Sequence, residues 1–194
     1  MALTISKPGH SDLIIKKSRF IGMVSPVRNR REATETVARL KAEHPDAAHV
    51  CWALLAGGDS AAVDDGEPGG TAGKPMLEVL RHQHLEGVLA TTVRYFGGIK
   101  LGAGGLVRAY TDAIVQALST TDIIERIVWV QTSLTIPYAF EGTARRALAA
   151  HDARILHAEH GAAVELLIEL PDTSRANFQQ MVNDLCHGHA TWVD

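Results

Sequence analysis

Five glycines within nine residues, from Gly97 to Gly105, lie at the centre of this 194-residue chain and restrict the structures that this region can form. The preceding residues, 87–96, are mostly β-branched, aromatic or aliphatic, which is typical of a buried or half-buried strand. After the glycines, apolar residues recur at helical spacing from Leu106 to Leu118. The segment is therefore predicted to contain a strand, a glycine loop and a helix that begins near Leu106.

A glycine loop that leads into a helix is suited to binding an anion. The unpaired N–H groups of the first helical turn and the positive end of the helix dipole both favour a phosphate or a carboxylate. Lys100 lies in the loop, and Arg94 and Arg108 flank it. The spacing excludes the P-loop and the dinucleotide-binding fingerprint, since neither pattern occurs here. The alternative is a tight loop whose glycines adopt positive φ angles for packing alone.

A second unusual segment, residues 63–75, is too rich in Gly and Pro for a regular helix or strand. It carries three carboxylates, one hydroxyl and one cation: Asp64, Asp65, Glu67, Thr71 and Lys74. In one interpretation, the Asp side chains accept backbone N–H bonds and Thr71 caps the next helix. In a second, the carboxylates hold Mg²⁺ beside a phosphate. In a third, the segment recognises a partner.

Charge is distributed unevenly along the chain, although the net charge is only −3. Residues 1–125 contain fourteen Lys and Arg against fourteen Asp and Glu, whereas residues 126–194 contain five against eight. This balance excludes a uniformly basic nucleic-acid-binding protein. A polyanion is expected only at a local patch of the first 125 residues.

Cysteine and histidine usage gives no strong sign of metal or thiol chemistry. Cys51 and Cys186 are far apart, and the ten histidines do not form a zinc-binding pattern. His49 and Cys51 share one face of a predicted strand, but a strand in which apolar and polar residues alternate can simply bury that face.

No signal peptide or membrane-spanning run is recognised. We therefore expect a cytoplasmic protein with no membrane partner, no metal and no cofactor.

The remaining elements of the first 125 residues are predicted from capping and turn signals. They are a bent strand or hairpin over 12–26, a helix opened by a capping box at Asn29–Glu32 and ended at His44, a strand over 48–55, and a short helix with Pro75 in its first turn. Lys16, Lys17 and Arg19 are expected on the exposed side of the first element.

The last third of the chain is predicted to form a separate unit with the element order β-α-β-β-α-β. Its predicted elements are a strand over 128–136, a helix over 140–148, strands over 155–159 and 164–170, a helix capped by Asp172 or Thr173, and a strand over 190–193. This order is that of the ferredoxin-like fold. The expected fold class is α+β, with domains at residues 1–125 and 126–194.

Four blocks of sequence resemble the signature motifs of one known family. They are Lys17-Ser-Arg-Phe-Ile21, Ala48-His-Val-Cys51, the run from Asp64 to Pro75, and the run from Arg94 to Tyr110. Together they resemble the IMPACT family, in its bacterial YigZ-like branch. The match by motif covers about residues 10–120, and the last third matches by pattern only.

The resemblance implies two α+β domains. The first would be a sheet backed by helices similar to domain IV of elongation factor G, and the second a ferredoxin-like domain similar to domain V of that factor. It also implies a regulatory or binding role linked to translation, through RNA, the ribosome or a translation-associated protein. Family membership establishes no catalytic activity.

The leading hypothesis is a non-catalytic cytoplasmic binding protein that uses the glycine-rich basic loop. Its candidate binding residues are Arg19, Asp64, Asp65, Glu67, Thr71, Lys74, Arg94, Tyr95, Gly97, Gly98, Lys100, Gly102, Gly104, Gly105 and Arg108, and Lys16 and Lys17 extend this set. One alternative is a small metal- or phosphate-dependent enzyme, which no nucleophile and base pair supports. A second alternative is a protein-interaction adaptor that binds no nucleic acid.

Overall fold

The computed structural model describes residues 3–193, whose contacts divide the chain into two compact units, Met1–Arg126 and Ile127–Asp194. The first unit contains β1 (Leu3–Ile5), β2 (Gly9–Ile15), β3 (Ser18–Pro26), α1 (Arg30–Glu43), β4 (His49–Ala56), β5 (Asp59–Val63), α2 (Gly73–His82), β6 (Val88–Tyr95), α3 (Ala103–Leu118) and β7 (Ile123–Glu125). The second contains β8 (Trp129–Ile136), a 3-10 turn (Tyr138–Phe140), α4 (Glu141–Ala150), β9 (Arg154–His160), β10 (Val164–Pro171), α5 (Asp172–Leu185) and β11 (Thr191–Val193).

The first unit is a five-stranded antiparallel sheet in the order β2-β3-β6-β4-β5, with helices on both faces. α2 and α3 pack on one face, around a core that includes Phe20, Met76 and Tyr110. α1 packs on the other, around Val37 and Trp52. Seven of the eight residues of the central strand β6 are buried, because both of its faces are covered. β1 and β7 form a separate two-stranded ribbon.

The start of α1 follows the predicted capping signal in part. The side chain of Asn29 accepts a hydrogen bond from the N–H of Glu32 at 3.1 Å, as an N-cap residue should. Glu32 Oε2 accepts from the N–H of Arg28 at 2.8 Å, whereas a capping box would use the N–H of Asn29. The helix ends at Glu43, before His44-Pro45.

Two predicted helix starts were wrong in detail. α3 begins at Ala103, so Gly104 and Gly105 are helical and only Gly97, Gly98 and Gly102 belong to the loop. Gly102 occupies the N-cap position with φ 74°, a left-handed conformation that glycine adopts readily. α5 begins at Asp172 itself, after Pro171, and no side chain caps it.

The second unit is a four-stranded antiparallel sheet in the order β11-β8-β10-β9. α4 and α5 contribute to its core, in which Leu134, Leu166 and Phe178 are fully buried. The element order β-α-β-β-α-β and this strand order are those of the ferredoxin-like fold, so the predicted α+β class is confirmed. Within residues 3–193, the helices are all too short or too polar to cross a membrane.

Candidate functional site

Three connections meet at one end of the first sheet, which we call the loop end. They are the β2–β3 turn (16–17), the β5–α2 loop (64–72) and the β6–α3 loop (96–102). The antiparallel register explains this, because the end of β6 lies beside the starts of β3 and β4. The two glycine-rich segments that the sequence singled out are therefore neighbours in space.

Asp64 organises the β5–α2 loop. Its carboxylate accepts hydrogen bonds from the N–H groups of Gly70 at 2.7 Å, Gly73 at 2.8 Å and Ala72 at 3.0 Å. Burial is the largest influence and opposes ionisation, but these three bonds together outweigh it and lower the pKa of Asp64. Asp64 thus takes the capping role predicted for Thr71, whose hydroxyl instead donates to the carbonyl of Pro68 at 2.7 Å.

The other two carboxylates of this loop have different partners. Asp65 accepts from the N–H of Val50 at 2.7 Å and from Lys41 Nζ at 2.5 Å. Burial opposes its ionisation, yet the bonds from Lys41 and Val50 outweigh burial and lower the pKa of Asp65. Glu67 points instead toward Arg94. The three carboxylates therefore do not converge on one ion, and residues 3–193 contain no group of three or more His, Cys, Asp or Glu arranged for a metal.

Glu67 and Arg94 form a buried ion pair beneath the loop end. Arg94 Nη1 donates to Glu67 Oε1 at 2.6 Å, and the hydroxyl of Tyr110 donates to the same oxygen at 2.7 Å. The side chains of Glu67 and Arg94 are only 3% and 6% exposed. Arg94 was predicted to contact phosphate directly, whereas its guanidinium here joins β6 to the β5–α2 loop.

Two aromatic rings accompany the Arg94 guanidinium. Its central carbon lies 5.3 Å from the ring centre of Phe20 and 5.5 Å from that of Phe96. Arg94 Nη2 reaches the hydroxyl of Ser18 at 3.4 Å, while Nε is buried without a hydrogen-bond partner in the described part of the chain. Arg94 is thus held by contacts from three segments of the first unit.

Cys51 lies behind this ion pair and has no features of a nucleophile. Its thiol donates to the carbonyl of Asp64 at 2.9 Å and lies 3.4 Å from the hydroxyl of Tyr110. Burial raises the pKa of Cys51 to about 12, and nearby carboxylates add to the effect. Burial, followed by the neighbouring Cys51 and Glu67, also raises the pKa of Tyr110. Both groups are therefore protonated at neutral pH.

A pocket of about 340 Å³ opens between the two glycine-rich loops. The β5–α2 loop contributes Glu67 and Pro68, and the β6–α3 loop contributes Phe96, Lys100 and Leu101. The remaining lining residues are His49, Arg94, Gly102, Ala103 and Leu106. The pocket thus combines apolar walls with a carboxylate, an imidazole and cations, which is the composition expected of a small-molecule site.

The N-terminus of α3 forms one side of this pocket. No side chain caps the helix at Gly102, and the N–H groups of Ala103, Gly104 and Gly105 donate to no described residue. Ala103 carries only a methyl group, and Gly104 and Gly105 have no side chain, so the first turn is open to a ligand. These glycines therefore leave the helix N-terminus accessible, even though two of them lie inside the helix.

Five exposed cations surround the loop end: Lys16, Lys17, Lys74, Lys100 and Arg108. None of them lies within 4.0 Å of a carboxylate oxygen of residues 3–193. Lys17 packs directly against Gly97, since a Cβ at Gly97 would lie 2.0 Å from the Lys17 carbonyl carbon. Arg108 reaches back toward Gly104 in the first turn of α3.

Of the predicted binding residues, only Glu67, Arg94, Lys100 and Gly102 line the pocket. Two others, Arg19 and Tyr95, have partners elsewhere. Arg19 pairs with Asp12 at 2.6 Å on the exposed surface of the hairpin. The hydroxyl of Tyr95 lies 2.8 Å from Nδ1 of His44. Conversely, sequence reasoning overlooked His49 and Phe96 as site residues. Phe96 directly precedes Gly97, and this position next to the glycine loop could have indicated a site residue. No local pattern identifies His49.

Comparison with known families gives the class of the protein. Residues 16–118 match the Impact N-terminal domain, and residues 134–189 match a domain of unknown function, DUF1949. The fold and these matches define an α+β protein in which an Impact N-terminal domain precedes a ferredoxin-like domain. The chain belongs to the IMPACT family, which confirms the resemblance inferred from the four sequence blocks.

Several relatives extend over most of the chain. The IMPACT family member YvyE of Bacillus subtilis is 35% identical over 95% of this chain and 87% of its own length. YigZ of Escherichia coli is 38% identical over 90% of this chain and 88% of its own length. A crystal structure described as that of an hypothetical protein is 35% identical, with a TM-score of 0.77, and the match covers 99% of this chain and 96% of that one.

Proposed function

We propose that this protein is a non-catalytic cytoplasmic binding protein linked to translation, and that the loop end of its first unit contacts the phosphate backbone of RNA. The observation that carries the proposal is the set of five exposed cations without carboxylate partners around that end. Phosphate contacts by Lys and Arg supply most of the sequence-independent affinity for nucleic acids.

The local charge at the loop end is positive although the chain as a whole is acidic. The negative side chains there already have internal partners, because Asp65 binds Lys41 and Glu67 binds Arg94. Asp64 is likewise occupied by three backbone N–H groups. The five cations are therefore free to neutralise an external polyanion.

The first turn of α3 supplies one well-defined phosphate position within this patch. Its free N–H groups and the positive end of the helix dipole act together with Lys100 beside the pocket. Lys17 lies against the same loop at Gly97 and extends the positive surface along a bound strand.

The enzyme alternative has little support from the geometry. The thiol of Cys51 is protonated and buried, and its hydrogen-bond partners are a carbonyl and a phenol rather than a base. The three loop carboxylates are each engaged in structural bonds.

The proposal is tested by measuring RNA binding and ribosome co-sedimentation at several salt concentrations. The variant Lys74→Ala/Lys100→Ala/Arg108→Ala should bind RNA more weakly. The slope of the logarithm of the binding constant against the logarithm of the salt concentration should become less negative by about 2, since each lost contact to single-stranded nucleic acid removes about 0.7.

The matched control is Arg30→Ala/Arg31→Ala/Arg39→Ala on α1. This variant also removes three positive charges, but from α1, which covers the opposite face of the sheet. It should retain the salt dependence of the unmodified protein. Equal losses in the two triple variants would contradict the assignment of the loop end. If the unmodified protein bound neither RNA nor ribosomes at any salt concentration, nuclease-treated pull-downs would test the adaptor instead.

A further inference from the structure

We infer that the pocket between the two glycine-rich loops receives one unstacked guanine nucleotide of a single-stranded RNA. This inference rests on the proposed RNA-binding function and adds the base that the site selects. It depends on two hydrogen-bond acceptors, an exposed aromatic ring and the open end of α3, all of which line the same pocket.

The first acceptor is Glu67 Oε2. The other oxygen of this buried carboxylate is already occupied by Arg94 and Tyr110. Oε2 receives no hydrogen bond from the described residues, although the side chain is only 3% exposed. Oε2 is not among the fully enclosed side-chain atoms that lack a partner in the described residues, so it keeps contact with solvent and can accept a hydrogen bond from a ligand in the pocket.

The second acceptor is Nε2 of His49, 3.9 Å from Glu67 Oε2. The other ring nitrogen, Nδ1, lies 2.8 Å from the backbone carbonyl of Asp65. A carbonyl can only accept, so Nδ1 carries a proton, and in the tautomer with this single proton Nε2 is an acceptor. Two acceptors thus lie side by side at the wall of the pocket.

Among the four RNA bases, guanine presents the matching edge. Its ring N1–H and its exocyclic amino group are adjacent donors on the Watson–Crick edge. Adenine and cytosine offer an amino donor next to an acceptor, and uracil offers one ring N–H between two carbonyl oxygens. The pair formed by Glu67 and His49 therefore selects guanine, because the other bases place an acceptor opposite an acceptor.

Phe96 and the apolar lining hold the base plane. Phe96 is 51% exposed at the pocket rim, and Pro68 and Leu106 supply further apolar surface. Proteins that read single-stranded RNA commonly stack an unpaired base on such an aromatic ring. A pocket of about 340 Å³ suits a single nucleotide rather than a duplex.

The phosphate of the same nucleotide has its position at the other side of the pocket. There Lys100, Gly102 and Ala103 line the pocket, and the N–H group of Ala103 in the first turn of α3 has no acceptor among the described residues. The base edge and the phosphate are therefore recognised by different loops, which explains why the two glycine-rich segments have to meet.

The inference is tested by calorimetric titration of the full chain with guanosine, adenosine, cytidine and uridine 5′-monophosphates at low salt. The guanosine nucleotide should bind about tenfold more tightly than the other three. Phe96→Ala should weaken its binding about tenfold, as expected from the loss of a stacking partner. His49→Ala should reduce the preference for guanine while leaving affinity for inorganic phosphate unchanged.

The matched control is Ile99→Ala. Ile99 is 41% exposed in the same loop but does not line the pocket, so its replacement should leave nucleotide binding unchanged. Thermal melting of each variant, compared with the unmodified chain, identifies any loss of folding. Equal affinities for the four nucleotides, or equal effects of Phe96→Ala and Ile99→Ala, would overturn the inference.

Single-stranded oligonucleotides with and without guanine separate this inference from the proposed function. Salt-dependent RNA binding that is indifferent to guanine and to Phe96→Ala would refute the pocket assignment and leave the backbone-binding function standing. Tight binding of guanosine monophosphate without any RNA binding would refute the proposed function and leave the pocket assignment standing.

Discussion

Single residues at the loop end are coupled through the Glu67–Arg94 ion pair. One oxygen of Glu67 accepts from Arg94 at 2.6 Å and from Tyr110 at 2.7 Å, so it joins a loop, a strand and a helix. A buried pair of this kind stabilises a fold only moderately compared with apolar residues, but removing one partner leaves a buried charge without compensation. The pair therefore fixes the shape of the pocket wall.

Glu67→Leu and Arg94→Met should each lower the free energy of unfolding by about 3–5 kcal/mol, because each leaves the opposite charge buried. The double variant should lose less free energy of unfolding than the two single variants lose together, and the difference should be about 0.5–3 kcal/mol. Urea denaturation of the three variants at pH 7 measures this coupling.

The control for this cycle is the exposed pair of Asp12 and Arg19, whose side chains are 50% and 52% exposed. Replacing both by Ala should give a coupling of only about 0–1 kcal/mol. Additive losses at Glu67 and Arg94 would show that the buried pair does not hold the loops together.

Among the elements, the β2–β3 turn and the β6–α3 loop support each other. Lys16 and Lys17 form a two-residue hairpin turn with φ 46° and 66°, positions at which Asn and Gly are the preferred residues. Non-glycine residues with positive φ are conformationally unfavourable, so packing against Gly97 helps to maintain this turn. The cationic turn and the glycine loop thus form one structural unit.

Gly97→Ala should destabilise the first unit by about 1–3 kcal/mol, because the added Cβ would lie 2.0 Å from the backbone carbonyl carbon of Lys17. Gly104→Ala is the matched comparison. Its Cβ would meet only Arg108 Nη1 at 3.8 Å, and alanine favours a helix more than glycine by about 0.5–1 kcal/mol. Urea denaturation should therefore show changes of opposite sign, and a loss of stability in both variants would contradict the packing described for α3.

The whole molecule contains two units with separate cores and different charge. The first unit has apolar clusters on both faces of its sheet, and the second has its own cluster around Leu134 and Phe178. Residues 127–194 contain four Arg and no Lys against eight Asp and Glu. A polyanion is therefore expected to bind the first unit alone.

Residues 1–126 and 127–194, produced separately, should each unfold cooperatively in urea, because each unit buries its own apolar core. The smaller unit should have a free energy of unfolding of about 3–10 kcal/mol. Salt-dependent RNA binding should remain with residues 1–126. A gradual, non-cooperative transition in either piece, or RNA binding by residues 127–194, would contradict this division.

Much of the secondary structure followed from local patterns. The Asn29 cap, the position of Pro75 in the first turn of α2 and the alternation of β8 and β10 are signals that neighbouring residues carry within a few positions. Strands β1, β5 and β7 were not predicted. The start of α3 was placed too late, because Gly104 and Gly105 have poor helix propensity but are held in α3 by the packed turns that follow. Local propensity is easily overridden in this way by tertiary packing.

By itself, the sequence determined the α+β class, the order of the elements in the second unit and the family, because periodicity, caps and motifs are properties of adjacent residues. Only the tertiary structure decided the partners of the charged groups. Glu67 and Arg94 are 27 residues apart in sequence. Arg94 was predicted to bind phosphate, but it pairs with Glu67 in the interior and joins β6 to the β5–α2 loop. The pocket with His49 and Phe96 likewise exists only where antiparallel pairing brings distant loops to one end of a sheet. Such contacts depend on strand register, which no single segment encodes.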